Sequence, residues 1–93
     1  MKAKERVRIL ELMKNEVHVT GWLCGSLIGL CELRGLISID ESDSMRIYIY
    51  KHRPKEGDNL YKPHDDGDAW FWDKDDLQSR CDWIDLHIKL NSI

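Results

Sequence analysis

One stretch of the sequence, residues 21–34, is apolar on almost every side of a helix drawn through it. It reads GWLCGSLIGLCELR, and its apolar residues follow no single face. A helix of that kind belongs in the interior of a domain. Gly21, Gly25 and Gly29 recur at four-residue spacing, and each costs a helix about 1 kcal/mol relative to alanine. The repeated glycine predicts a tightly packed central helix that another backbone approaches closely.

The chain has 93 residues, and we expect residues 1–93 to form a single helical domain with one modest core. The longest charge-free run, residues 17–31, is shorter than the roughly 20 apolar residues that a membrane span needs. Charged residues also interrupt the apolar residues at the N-terminus, so no signal peptide is predicted. A cytoplasmic location without membrane association is therefore expected.

The three cysteines, Cys24, Cys31 and Cys81, all lie within apolar helical patterns. An odd and widely spaced set of this kind does not form a disulfide framework. Free cysteine is among the residue types most often buried. We predict that all three are reduced core residues.

The hydrophobic periodicity predicts a first helix over residues 3–15 that ends at Asn15, because asparagine tolerates left-handed geometry. Residues 16–19 then form a short link, and Thr20 supplies an N-cap for the central helix. Gly35 suits the left-handed position that follows the end of that helix.

Residues 38–52 allow two interpretations. The segment MRIYIY, residues 45–50, has the β-branched and aromatic composition typical of a strand. Ser38 and Glu41, however, have the spacing of a capping box, and Pro54 provides a stop. Acidic residues early in the segment and basic residues late in it also suit the helix dipole. We predict a helix, with a strand as the alternative.

Residues 55–68 contain two glycines, a proline and five acidic residues, which predicts a loop. A last helix over residues 74–90 is expected to begin at an Asp73 cap. Its apolar residues fall on one broad face that comprises Leu77, Cys81, Ile84 and Ile88, widened by Trp83, Leu86 and Leu90. These patterns together predict an all-α fold, a small four-helix bundle-like domain with a long acidic loop before the last helix.

The known catalytic and phosphate-binding motifs do not occur in this sequence. It has no glycine-rich phosphate loop, CxxC, HExxH or GxSxG pattern. His64 and its neighbouring aspartates offer oxygen ligands, but EF-hand order is missing, so a solvated acidic loop is the preferred interpretation. We predict a non-enzymatic protein with no catalytic residue, no metal and no cofactor.

Charge is unevenly placed in a chain whose net charge is −3. Residues 54–76 hold three lysines and eight Asp or Glu residues, a balance of −5. A concentrated negative patch of this kind can engage a basic protein surface. The acidic balance and the apolar central helix argue against direct nucleic-acid binding, which needs a basic face.

Three consecutive aromatic residues, Trp70, Phe71 and Trp72, mark the approach to the last helix. In an extended backbone the two tryptophans share one side, where they can form a stacking platform for a base or a cation. Arg80 and Arg53 can supply positive charge to an anionic ligand. The alternative is that all four tryptophans fill the core.

The order of several short patterns resembles that of small, mostly uncharacterised, bacteriophage-encoded helical proteins. These patterns are Gly-x-Leu-Cys at 21–24, Arg-Pro at 53–54, Trp-Phe within 70–72 and Ser-Arg-x-x-Trp-Ile at 79–84. Trp72 departs from the pattern, which has proline there. The resemblance implies a helical fold and expression inside an infected bacterium, where such proteins often act by binding.

Together these observations predict a small anti-defence protein that sequesters a nucleotide-like immune signal. Its ligand-binding residues are predicted to be Trp70, Trp72, Arg80 and Arg53, and a homo-oligomer would allow a pocket between subunits. The alternative is an acidic inhibitor that binds a host defence protein in the manner of a DNA mimic. An assembly factor for a phage particle is a third interpretation.

Overall fold

A computed structural model describes residues 1–20, 24–54 and 77–93. These residues form four α-helices in the order α1 (Ala3–Thr20), α2 (Cys24–Leu33), α3 (Ile39–Lys51) and α4 (Leu77–Asn91). The all-α four-helix fold is therefore confirmed, and residues 45–50 are helical rather than a strand. The predicted acidic loop, its adjoining aromatic segment and the Asp73 cap lie outside the described residues.

The helices bury one shared apolar core. The most extensive helix–helix contact is between α1 and α4, while α2 packs against both α1 and α3. Leu33, near the end of α2, is 83% exposed, so the central stretch is not enclosed on every side as its composition predicted. The largest fully buried side chains come from all four helices: Ile9, Leu10 and Met13 of α1, Leu27 and Ile28 of α2, Met45 and Ile49 of α3, and Trp83 and Ile84 of α4. Among the described helices, none combines the length and apolar character that crossing a membrane would require.

The predicted end of the first helix at Asn15 and the predicted link over residues 16–19 are wrong, because α1 continues to Thr20. Val17 extends the apolar stripe of α1 by one more turn and is fully buried. Glu16 is nearly buried too. Nη1 of Arg34 donates to both oxygens of the Glu16 carboxylate, each at 2.7 Å. Burial and this pairing outweigh the local turn preference of Asn15.

The end of α2 confirms the role predicted for Gly35. Gly35 has a φ of +72°, and its N–H donates to the carbonyl of Glu32 while the N–H of Leu36 donates to the carbonyl of Cys31. These two bonds are those of a Schellman motif. The structure describes this helix from Cys24 onward, and its predicted start at Gly21 lies outside the described residues.

The start of α3 confirms the predicted capping box. The Glu41 N–H donates to Ser38 Oγ at 3.1 Å, and the Ser38 N–H donates to Glu41 Oε1 at 2.9 Å. The hydrogen bond from the Ser38 backbone lowers the pKa of the Glu41 carboxyl, and Arg8 of α1 lowers it further. The cap therefore also ties α3 to α1 through the Arg8–Glu41 ion pair.

The face of α4 that packs inward is narrower than predicted. Cys81, Trp83 and Ile84 are buried, but Leu86 and Leu90 are 45% and 51% exposed. They lie on the outer side of the helix, and the position next to the core is taken instead by His87, which is buried. Among the cysteines, Cys31 and Cys81 are buried thiols as predicted, while the side chain of Cys24 lies outside the described set.

Candidate ligand-binding cleft on the third helix

A cleft of about 690 Å³ opens beside the C-terminal half of α3. We call it the α3 cleft, and it is lined by Arg46, Ile47, Tyr50, Lys51 and Arg53. Arg46 and Tyr50 are four residues apart and lie on one side of α3, while Arg53 lies two residues beyond the end of the helix at Lys51. The volume lies within the range of pockets that hold small molecules, and the cleft is shallow and open to solvent.

Arg53 is positioned by the last turn of α3. Its guanidinium carbon lies 4.2 Å from the centroid of the Tyr50 ring, and Nη1 donates to the Tyr50 carbonyl at 2.7 Å. The side chain therefore supports one of the carbonyls that a helix end leaves without an intrahelical partner. A guanidinium has five N–H donors, so this bond leaves others for an anion.

The guanidinium of Arg46, which lines the cleft, lies against a glycine of the neighbouring helix α2. A Cβ atom added at Gly29 of α2 would lie 3.1 Å from Nη2 of Arg46. Among the described residues, the nearest group to Gly29 is thus a side chain and not the second backbone that the glycine spacing predicted. The absence of a side chain at Gly29 makes room for one of the cations of the cleft.

The α3 cleft is a site of positive charge. Arg46, Lys51 and Arg53 contribute three cationic side chains, all from one stretch of the chain. The C-terminus of a helix carries about half a negative elementary charge, which attracts these cations but is much smaller than their sum. The cleft therefore favours an anion, and the exposed Tyr50 ring offers an aromatic surface beside it.

The structure gives the position of only one of the four predicted binding residues. Arg53 lies in the α3 cleft, whereas the side chain of Arg80, on α4, and the residues Trp70 and Trp72 lie outside the described set. The sequence analysis did not predict Arg46, Tyr50 and Lys51 as members of a site. The four-residue spacing of Arg46 and Tyr50 on α3 is a signal that could have linked these two residues.

A polar network lies behind the cleft and joins three helices. Arg6 of α1 donates through Nε to Asn91 Oδ1 at 2.7 Å, which orients the amide of Asn91. Asn91 Nδ2 then donates to the Tyr48 hydroxyl at 2.9 Å and to the His87 carbonyl at 2.7 Å. The Tyr48 hydroxyl also forms a hydrogen bond with His87 Nδ1, 2.8 Å away.

Aromatic stacking surrounds His87 and links the network to the end of α3. The Trp83 and His87 ring centroids lie 4.2 Å apart, and those of Tyr48 and His52 lie 4.3 Å apart. Trp83 Nε1 donates to the His52 carbonyl at 3.2 Å. Burial, together with the charge of His52, lowers the pKa of His87 to about 4. These contacts hold the last turn of α3 against α4, and so fix the backbone that carries Tyr50, Lys51 and Arg53.

The part of the chain that the structure describes contains no group of three or more His, Cys, Asp or Glu side chains able to hold a metal ion. The predicted acidic cluster around His64 is not among those residues. The chemistry available in the α3 cleft is therefore that of cations and an aromatic ring.

Comparison with known proteins adds no further assignment. The chain matches no protein-family model, and no curated protein or solved structure is significantly similar to it.

Proposed function

We propose that this protein is a non-enzymatic binding protein that captures a nucleotide-like anion at the α3 cleft. The observation that carries the proposal is the presence of three cationic side chains and the Tyr50 ring around one cleft of about 690 Å³. A nucleotide combines phosphate oxygens with a flat base. Arginine forks bind phosphate in a bidentate manner, and an aromatic ring stacks on a base.

The biological role that fits this capture is sequestration of an immune signal. The resemblance to phage-encoded helical proteins implies expression inside an infected bacterium, where a nucleotide signal held in the cleft would not reach its defence effector. Trp70, Trp72 and Arg80 remain proposed contributors to the same ligand. The described lining of the cleft comprises Arg46, Ile47, Tyr50, Lys51 and Arg53. It supplies charge and stacking for such a ligand.

The proposal is tested by titration calorimetry with ATP, AMP, a cyclic dinucleotide and inorganic phosphate as probes. We expect a nucleotide to bind more tightly than phosphate alone, because only the nucleotide also stacks on Tyr50. Lys51→Ala and Arg53→Ala are each expected to weaken binding roughly tenfold, since a charge-assisted hydrogen bond contributes about 1.5–3 kcal/mol.

Lys89→Ala is the matched control, because Lys89 is an exposed lysine on α4 and does not line the cleft. Its affinity for the nucleotide should equal that of the unaltered protein. Equal losses in Lys51→Ala and Lys89→Ala would count against the cleft, as would the absence of binding by every probe. Mass spectrometry of the ligand after heat release should recover it chemically unchanged, and a converted product would refute the non-enzymatic role.

The runner-up function is an acidic inhibitor of a nucleic-acid-binding defence protein. Its support is the balance of −5 over residues 54–76, which is large for so short a segment. Replacing Asp65, Asp66 and Asp68 with lysine would abolish inhibition by this mechanism, and added salt would weaken it. The nucleotide mechanism predicts that the same triple variant still binds its ligand.

A further inference from the structure

The outer face of α3 carries apolar side chains that the core does not use. Ser42, Met45 and Ile49 form the buried face of the helix. Ile47 lies nearly opposite them and is 69% exposed, and Tyr50 beside it is 59% exposed. At 100° per residue, Ile47 falls at the middle of the outer face. An exposed isoleucine flanked by a tyrosine on a surface helix is a candidate contact for another protein surface.

Charges on this face are placed symmetrically about Ile47. Asp43 precedes Ile47 by four residues and Lys51 follows it by four, and both side chains are exposed. Each therefore lies about one turn, or roughly 6 Å along the axis, from Ile47. If two α3 helices pair antiparallel about a twofold axis at Ile47, Asp43 of each copy meets Lys51 of the other. A parallel pairing would instead oppose like charges.

An isologous interface requires that one patch be complementary to itself, and the positions of Asp43 and Lys51 about Ile47 meet that requirement.

We propose that the outer face of α3 is a self-association surface, on which two copies of this chain pair antiparallel about a twofold axis at Ile47. One helix face buries less than the roughly 800 Å² per partner of a standard stable interface. The dimer is therefore weak, with a dissociation constant in the micromolar range or above. This inference goes beyond the proposed function, although the surface shares Ile47, Tyr50 and Lys51 with the α3 cleft. A bound anion competes with Asp43 of the second copy for Lys51, so a nucleotide lowers the dimer fraction.

The test is a charge exchange followed by sedimentation velocity from about 10 µM to 1 mM protein without added nucleotide. We expect Asp43→Lys and Lys51→Glu each to raise the dimer dissociation constant about tenfold. The double variant, Asp43→Lys with Lys51→Glu, restores opposite charges at both contacts and should return the constant to within about threefold of the starting value. Ile47→Ser should raise it at least as much as either single charge change.

Matched controls separate this effect from a change in net charge. Glu11→Lys on α1 and Lys89→Glu on α4 alter exposed side chains outside the outer face of α3, and neither should change the dimer constant. Circular dichroism checks that every variant keeps its helix content. A protein that stays monomeric at 1 mM overturns the proposal, and so does a double variant as weak as the single ones.

The result stands apart from that of the nucleotide titration. Asp43 does not line the α3 cleft, so Asp43→Lys removes the pairing without removing a cation from the ligand site. If nucleotides fail to bind while the charge exchange behaves as expected, the self-association surface is supported and the proposed function is not.

Discussion

The Tyr48 hydroxyl and His87 Nδ1 lie 2.8 Å apart and form a hydrogen bond between α3 and α4. The amide of Asn91 donates to the same hydroxyl. Burial and the charge of His52 lower the pKa of His87 from 6.5 to about 4.

This lowered pKa predicts a loss of stability in mild acid. Between pH 6.5 and about 4 the unfolded chain binds a proton at His87 and the folded protein does not, so the free energy of unfolding falls as the pH falls. The loss over that range is about 3 kcal/mol, at 1.36 kcal/mol per pKa unit. Below pH 4 this group contributes no further change. Urea unfolding at pH 7, 6, 5 and 4 measures the profile.

His87→Gln is the control for that profile, because glutamine keeps a polar side chain but does not titrate. The variant should be less stable at pH 7 and should show a smaller decline between pH 6.5 and 4. Two profiles that decline in parallel would show that the pH dependence arises elsewhere.

Ser42→Ala should stabilise the protein. Ser42 Oγ is buried and has no hydrogen-bond partner among the residues that the structure describes. A buried polar group without a partner costs about 1–3 kcal/mol, and alanine is also the better helix former. We expect a gain of about 1 kcal/mol in urea unfolding. Ser44→Ala, on the same helix but half-buried, should gain only the propensity difference, and equal gains would contradict the role of the buried hydroxyl.

Gly35→Ala should destabilise the protein through its backbone alone. The φ of +72° at Gly35 is costly for alanine, and a Cβ there meets no atom within 4 Å. The left-handed conformation costs an L-residue about 1–2 kcal/mol, which corresponds to a melting temperature lower by roughly 4–8 °C for each kcal/mol in a domain of this size. Gly35→Asn should lose less, since asparagine tolerates this region. Calorimetry that found both variants unchanged would argue against the Schellman motif.

The Arg34–Glu16 pair should be sensitive to the identity of its cation. Arg34 Nη1 lies 2.7 Å from both oxygens of the nearly buried Glu16 carboxylate. Arg34→Ala leaves this carboxylate without its pairing cation and should cost about 1–3 kcal/mol. Arg34→Lys keeps the charge, so its stability in thermal unfolding should fall between that of the unaltered protein and that of Arg34→Ala. If Arg34→Ala and Arg34→Lys lower the stability equally, the loss comes from arginine packing and the charge of residue 34 contributes nothing to it.

Local patterns predicted the ends of the helices well where the partners are close in sequence. The capping box of Ser38 and Glu41 and the left-handed Gly35 involve residues within a few positions of each other, so both can be predicted from the sequence. The end of α1 was mispredicted because Glu16 is paired by Arg34, a residue 18 positions away. The exposed Leu86 and Leu90 were mispredicted because periodicity alone does not reveal which edge of an apolar face meets a neighbour.

The α3 cleft likewise has features that follow from local sequence and one that depends on a neighbouring helix. Arg46 and Tyr50 share helical spacing, and a helix over residues 45–50 is sufficient to align these two residues; the position of Arg53, beyond the end of α3, does not follow from that spacing. The place of Arg46 beside Gly29 of α2 could not be derived, because the glycine spacing suggested a close backbone and said nothing about which side chain would occupy the gap.

The sequence by itself determined that residues 39–51 form a capped helix, where a left-handed glycine follows a helix end, and that charge is segregated along the chain. Helix caps, hydrophobic periodicity and composition act over one or two helical turns, so they stabilise a helix without contacts between distant parts of the chain. Only the tertiary structure decided that Glu16 and His87 are buried polar groups and that Arg6 bonds to Asn91, 85 residues away. Burial removes water from a polar group, and whether a partner replaces that water depends on which distant helix packs against it.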